Sequence, residues 1–313
     1  TLLLRDAARA TPFLGDTLHP HVYPKAINSR FSADGRPPCV DCGWCSGFGC
    51  PNHAKGSPAV TVLRRALLTG RCQLRFNAAA VRLLPAGTQV TGVEYVDRTG
   101  ARQTATADAY LLAASAIESA RLCLLSDPDG AGLGNASDQV GRNLMFHLQT
   151  LVSGFLPQRV HGQRGRALSH GMSDFRGVEP GGTEVRVVDV GAGPQAFMGG
   201  ICEFSASQGL PITEDGFVYA LRLRTYRFGA RLKNALRDQA LGQHLVTLVM
   251  QAEDAPQQTN RVDLDLRYRD VYGSPIARIT YANHAYEKQA RAFYIPHMKA
   301  VLARLDGLDP ANI

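Results

Sequence analysis

The stretch "RQTATADAYLLAASAIESARLCLLS", residues 102–126, constrains the fold more than any other part of the chain. It opens with alternating polar and small residues and becomes wholly apolar at Tyr110–Ala114. It then passes through small residues into a segment with Ile117, Leu122 and Leu125 on one helical side. A continuous apolar run of this length is the pattern of a strand buried on both faces. We therefore expect a buried strand at residues 110–114 running into a helix. A turn of small residues between them lets a phosphate or ribose approach the backbone.

Period-two patterning also marks the residues just upstream. "CQLRFNAAAVRLLPAG" and "QVTGVEYVDRTG" read as strands, with turns at "PAGT" and "DRTGA". Before them, "SPAVTVLRRALLTG" reads as a helix, with Ser57 as cap, Pro58 in the first turn and Gly70 as stop. Helix, three-strand meander, buried strand and helix together predict a partial dinucleotide-binding domain over residues 61–147.

Beyond residue 147 the pattern changes. "QTLVSGFL", "FMGGICEF", "HLVTLVMQAED", "NRVDLDLRY" and "IARITYA" read as strands with few helices between them. This predicts an antiparallel-sheet domain of α+β type over residues 148–282. Residues 283–313 hold a closing amphipathic helix that Pro296 is expected to kink. Residues 1–60 are punctuated by Gly and Pro ("DGRPP", "AKGSP") and read as a long irregular segment laid over the first domain. The predicted class is thus α/β plus α+β.

Composition excludes several alternatives. With 45% hydrophobic and 19% charged residues the chain is globular rather than disordered. No apolar run reaches the roughly 18 residues of a membrane helix. The net charge is +7, and "RLRTYRFGARLKNALR", Arg222–Arg237, holds six basic residues and no acid. Such a stretch suits a solvated helix face or an anionic partner, but no nucleic-acid-binding module accompanies it. "GAGPQA" at Gly191 fits a G-x-G-x-x-A pattern after a strand-like segment. Pro194 and the pair Gly199–Gly200 stand where the phosphate-binding helix would run, so a turn between strands is expected. His19 and His21 flank Pro20 in a loop-like context.

Four cysteines, Cys39, Cys42, Cys45 and Cys50, fall within twelve residues in the spacing C-x2-C-x2-C-x4-C. Crowded thiolates suit zinc or an iron–sulfur cluster. A zinc ribbon separates its two C-x2-C pairs by roughly 12 to 20 residues, and this loop does not. A tight turn of small thiols is the other reading.

Three segments carry a family resemblance. "CVDCGWCSGFGCPNHAKGSPAVTVLRRAL", then "LLAASAIESARLCLLS" with "GLGNASDQVGRNLMFH", then "NRVDLDLRYRDVYGSPIARITY" resemble, in order, stretches of the glucose–methanol–choline (GMC) flavin oxidoreductases. The resemblance implies a partial FAD/NAD(P)-binding, Rossmann-like domain followed by a substrate-binding domain. It implies an FAD enzyme that oxidises a CH–OH group of an alcohol or sugar by hydride transfer to flavin N5, with a histidine taking the hydroxyl proton. By motif position, Val81, Ala113, Ala114 and Ser115 fall where family members meet the adenosine end of FAD. The usual residue at position 115 is Gly, and at 120 it is Pro; this chain has Ser115 and Ala120. Some relatives hold an iron–sulfur cluster in the corresponding cysteine-rich region, which implies Cys39, Cys42, Cys45 and Cys50 as its ligands.

The partners so implied are a small alcohol or sugar and an electron acceptor such as a quinone, a cytochrome or O2. The family's glycine-rich pyrophosphate turn and its catalytic histidine have no match in the sequence, so the catalytic groups are expected beyond Ile313. The chain reads as an internal part of such an enzyme, inactive and weak in FAD binding by itself. His147 and His284 are not assigned as bases. The competing readings are an iron–sulfur or zinc electron-transfer subunit centred on Cys39–Cys50, and a basic interaction module.

Overall fold

The computed structural model describes residues 1–42, 45, 49–127, 130–160, 168–176, 187–189, 194–196, 199–205, 229–230, 233 and 244–309. In chain order the elements are α1 (Leu2–Arg9), β1 (Pro12–Phe13), β2 (Asp16–Thr17), β3 (His21–Val22) and α2 (Val62–Leu68). Next come β4 (Ala79–Ala86), β5 (Gln89–Val96), β6 (Arg102–Ala105) and α3 (Ser115–Leu125). Then follow β7 (Leu148–Phe155), β8 (His170–Met172), a 3-10 turn (Asp174–Arg176), β9 (Val187–Asp189), β10 (Pro194–Ala196), β11 (Gly200–Ser205) and β12 (Leu245–Ala252). The hairpin of β13 (Arg261–Arg269) and β14 (Pro275–Thr280) and the helix α4 (Ala285–Leu302) complete the list. The class is mixed α and β, and every described strand pair is antiparallel. No helix among the described residues is long and apolar enough to cross a membrane.

The chain divides into two compact units. One comprises residues 1–69, 147–253 and 285–313; the other comprises 70–146 and 254–284. This corrects the expected boundaries. The irregular 1–60 segment and the closing helix belong with the large sheet, while residues 254–282 leave it for the unit containing α3.

In the first unit a five-stranded sheet runs in the order β3-β8-β11-β12-β7. Alternation selects its core face: Val246, Leu248, Met250 and Ala252 of β12 are all buried, as are Cys202 and Phe204 of β11. Helix α4 covers that face with Ala290, Tyr294, Met298 and Leu302, spaced four apart and running through Pro296. Helix α1 adds Leu4, Ala7 and Ala8 to the same core. That i, i+3, i+4 spacing is present in "TLLLRDAARA", and it makes an ordered helix where an irregular segment was expected.

An aromatic cluster fills the space between α4 and the 3-10 turn. Phe175 lies 4.7 Å from Tyr294, and His297 lies 5.0 Å from both Phe13 and Phe293, centroid to centroid. Burial holds the His297 imidazole below its ordinary value of 6.5. The unfolded chain therefore binds a proton that the native state refuses, so this contribution to stability is present above 6.5 and is lost as pH falls below it. His170 acts in the same direction, through burial first and then the nearby N-terminus, Arg5 and Arg9. We expect the denaturation midpoint to drop between about pH 7 and about pH 5. The drop should be smaller in His297→Phe, and equal slopes would rule out this assignment.

In the second unit β4, β5 and β6 form a three-stranded antiparallel sheet, whose last strand ends at Ala105. Gly87, at φ +61°, makes the tight β4–β5 turn. The Asp97 carboxylate organises the next turn by accepting from Thr99 N–H (2.8 Å) and Ala101 N–H (3.1 Å). Helix α3 packs on β4 and on the β13–β14 hairpin.

Two expectations fail in detail. Helix α2 starts at Val62, because residues 57–61 form a turn in which the Ser57 carbonyl accepts from Val60 and Thr61 N–H. The apolar run 110–114 is not a buried strand: it is irregular, and Leu111 is 92% exposed. A strand needs a ladder partner for its N–H and C=O groups, and no described strand lies beside this run. Of "GAGPQA", Pro194–Ala196 form β10, which pairs antiparallel with β9, while Gly191–Gly193, where the turn was expected, lie outside the described residues. The basic stretch Arg222–Arg237 lies largely outside the described residues.

Candidate functional site

A cleft of about 240 Å³ opens in the second unit between β4, α3 and the tip of the β13–β14 hairpin. One wall is Ala79, Ala80 and Val81, whose small side chains keep it open. Ala114, at the start of α3, and Leu122 and Leu125 further along make the apolar side. Helix and strand are fixed to each other by Ser126, which is fully buried at the end of α3. Its hydroxyl donates to the Leu122 carbonyl and accepts from Leu83 N–H of β4 at 2.8 Å.

The polar side is a network centred on Arg121. Its guanidinium donates to the Glu118 carboxylate (3.0 Å), to Asp270 of the hairpin tip and to the Pro275 carbonyl (2.8 Å). Asp270 also accepts from Tyr272 and Ser274 N–H, each at 2.9 Å. Burial pushes the Asp270 carboxyl up, but the Arg121 bond and the two backbone donors outweigh it and hold the group below the usual carboxylate range. Two carboxylates against one guanidinium leave this side with an acidic balance. Such a lining disfavours phosphate and suits an uncharged group that carries hydrogen-bond donors. The volume is below the roughly 300–1,000 Å³ of pockets that enclose a whole ligand.

The four residues expected at the adenosine end of FAD are only partly gathered. Val81 and Ala114 line the cleft together although they are far apart in sequence. Ala113 and Ser115 flank Ala114 in the chain but are exposed and do not line it. Ser115 is the first residue of α3 and has φ +67°. That left-handed conformation costs a non-glycine residue about 1–2 kcal/mol. We expect Ser115→Gly to raise stability by about 0.5–1 kcal/mol after the extra flexibility of the unfolded chain is subtracted. An unchanged or lower denaturation midpoint would contradict it.

Sequence reasoning missed Glu118, Arg121, Asp270 and Tyr272. The turn itself was readable in "RDVYGSP", since Asp and Gly at these spacings mark a hairpin tip. The Arg121–Asp270 pairing joins residues 149 positions apart and carries no local signal.

In the cysteine loop Cys39, Cys42, Cys45 and Cys50 are free thiols. Asp41 N–H donates to Cys39 Sγ at 3.3 Å, and the Cys50 thiol donates to Asn52 Oδ1 at 3.0 Å. Burial, then the neighbouring Cys39 and Cys42, push the Cys45 thiol up. At Cys50 burial acts upward too, but the N–H groups of Lys55, Asn52, Ala54 and His53 win and lower it. Among the described residues no three His, Cys, Asp or Glu side chains are gathered as metal ligands. The Cys39 and Cys50 sulfurs thus bond locally to Asp41 and Asn52, while Cys45 lies close enough to Cys39, Cys42 and Cys50 to feel their charge. Elsewhere, His19 Nδ1 pairs with Asp174 at 2.8 Å, and His147 Nδ1 bonds the Ala252 carbonyl at 3.1 Å.

Comparison with known proteins places this geometry in a class. The family model described as GMC oxidoreductase matches residues 26–149, which contain both the cysteine loop and the β4–α3 side of the cleft. The gluconate 2-dehydrogenase flavoprotein of Pantoea cypripedii is 30% identical over 265 residues, covering 78% of this chain and 38% of its own length. The 2-methyl-1,2-propanediol dehydrogenase of Mycolicibacterium austroafricanum is 29% identical over 244 residues, 75% of this chain and 40% of the relative. The crystal structure of pyridoxine 4-oxidase from Mesorbium loti superposes with a TM-score of 0.53 and 16% identity, over 98% of this chain and 52% of that one. The last match concerns the fold alone. The chain belongs to the glucose–methanol–choline oxidoreductases, an FAD-dependent family. It spans about two fifths of the two curated relatives just described and about half of the solved neighbour.

Proposed function

We propose that the cleft between β4, α3 and the hairpin tip receives the adenosine end of FAD, within an oxidoreductase that acts on a CH–OH group of an alcohol or sugar. The observation that carries this reading is the meeting of Val81 and Ala114 on one cleft of base-like size. The fit is chemical as well as spatial: small apolar walls accept a flat purine, and the carboxylates of Glu118 and Asp270 accept from an exocyclic amine or a ribose hydroxyl. Ala113 and Ser115 serve as exposed backbone beside the ribose. The acidic lining leaves the pyrophosphate to other groups. When bound, FAD supplies the acceptor for a hydride from the carbinol carbon. Two relatives are named for gluconate and for a propanediol, so a small polyhydroxy compound is the substrate class we favour. Reoxidation by a quinone, a cytochrome or O2 is part of the same reading.

The test is a titration of the chain with adenosine monophosphate (AMP) and with FAD, followed by calorimetry, for wild type and Ala114→Phe. Filling the cleft is expected to abolish binding of both while the denaturation midpoint stays close to wild type. Equal binding by the two proteins would place the nucleotide elsewhere.

A further inference from the structure

The β13–β14 tip, Asp270–Ser274, does more than close a hairpin. The Asp270 carboxylate accepts from two of its backbone N–H groups, Asp270 N–H donates to the Ser274 carbonyl at 2.8 Å, and Gly273 N–H donates to the Asp270 carbonyl at 3.0 Å. Arg121 clamps that carboxylate from α3, and Arg102 of β6 donates to the Tyr272 carbonyl at 3.2 Å. The backbone around Tyr272 is therefore held from two sides. The side chain is not buried by this effort: Tyr272 remains 40% exposed.

Its position is informative. Tyr272 lines the 240 Å³ cleft, and it also lines a neighbouring cleft of about 720 Å³ bounded by Asn77, Asp97, Arg98, Arg102 and Val271. Ala79 is the other residue common to both. Tyr272 is thus an aromatic ring on a rigid mount, at the boundary of a base-sized cleft whose remaining walls carry no aromatic residue. An aromatic ring carried on a fixed backbone offers a stacking surface at a reduced ordering cost.

We propose that Tyr272 is the purine-stacking residue of the cleft, positioned by the Arg121–Asp270 clamp. This rests on the adenosine reading of the preceding section. The ring closes the purine against Ala79–Val81, and the hydroxyl is dispensable.

The test uses AMP as probe with wild type, Tyr272→Phe and Tyr272→Leu, read by calorimetry and by the proton shifts of adenine H2 and H8. Loss of one base–aromatic stack weakens binding by about tenfold or more. Tyr272→Phe should bind as wild type and keep the upfield ring-current shift of the adenine protons. Tyr272→Leu should bind about tenfold more weakly and lose that shift, with its denaturation midpoint unchanged. Wild-type binding that Ala114→Phe abolishes but Tyr272→Leu leaves intact would overturn the stacking role while sparing the adenosine reading. Absence of AMP binding by the wild type would remove both.

Discussion

Gly199→Ala is expected to destabilise the first unit by at least about 3 kcal/mol. A β-carbon at Gly199 would lie 1.8 Å from the Phe175 carbonyl oxygen and 2.5 Å from the Tyr294 ring. Neither neighbour has room to retreat. Phe175 belongs to the 3-10 turn and is fully buried, and Tyr294 is packed between Phe175 and Phe293. Gly199 is tied in place as well, since its carbonyl accepts from Glu253 N–H at 2.9 Å. The backbone must shift to admit one methyl group. Set against a total stability of about 5–15 kcal/mol for an ordinary domain, that is a large share. Gly49→Ala is the control. Its added β-carbon would meet no atom of the described residues within 4 Å, so it should change stability by less than about 0.5 kcal/mol. Urea denaturation of the two variants checks the pair, and similar midpoints would refute the steric argument.

Tyr294→Ala should cost about 3–5 kcal/mol. The ring is 2% exposed and sits in the middle of the α4 stripe, where it fills the space between Phe175, Phe293 and Gly199. Removing it leaves a cavity that the sheet cannot collapse into, because Met250 and Leu248 are held in register by the β11 and β7 ladders. Tyr294→Phe keeps the ring and should retain most of the stability. The effects of Gly199→Ala and Tyr294→Ala will not add, since the residues touch. The double variant still drives its new methyl into the Phe175 carbonyl. Chemical denaturation of the single and double variants would show this, and strict additivity would mean that the two sites are independent.

Regular alternation made much of the fold readable. β7, β11, β12, β13 and β14 all stand within a few residues of the segments that "QTLVSGFL", "FMGGICEF", "HLVTLVMQAED", "NRVDLDLRY" and "IARITYA" mark out. The meander was readable for the same reason, helped by Gly87 and Gly100 at its turns. The run at Leu111 misled because a continuous apolar stretch states only that burial would be favourable. It does not supply a partner strand. The two-residue β3 and three-residue β8 are too short to show any period, yet they form one edge of the large sheet.

At the site, the small residues near Ala114 were legible as a place of close approach. The polar half was not. Nothing local in the sequence around Arg121 announces that it reaches a carboxylate on a hairpin 149 residues away; only the fold reveals it. The cysteine spacing was legible as a pattern, whereas the backbone donors around Cys50, Lys55 N–H and Ala54 N–H among them, were not.

The division of the chain into interleaved units bears on how it is made. Residues 70–146 emerge from the ribosome before the hairpin they pack with, and the large sheet must wait for α4, which is synthesised after that hairpin. Both units therefore mature late and almost together. Until then the nascent chain carries the apolar faces of β7 and β12 uncovered, so holding by a chaperone at that stage would protect it from self-association.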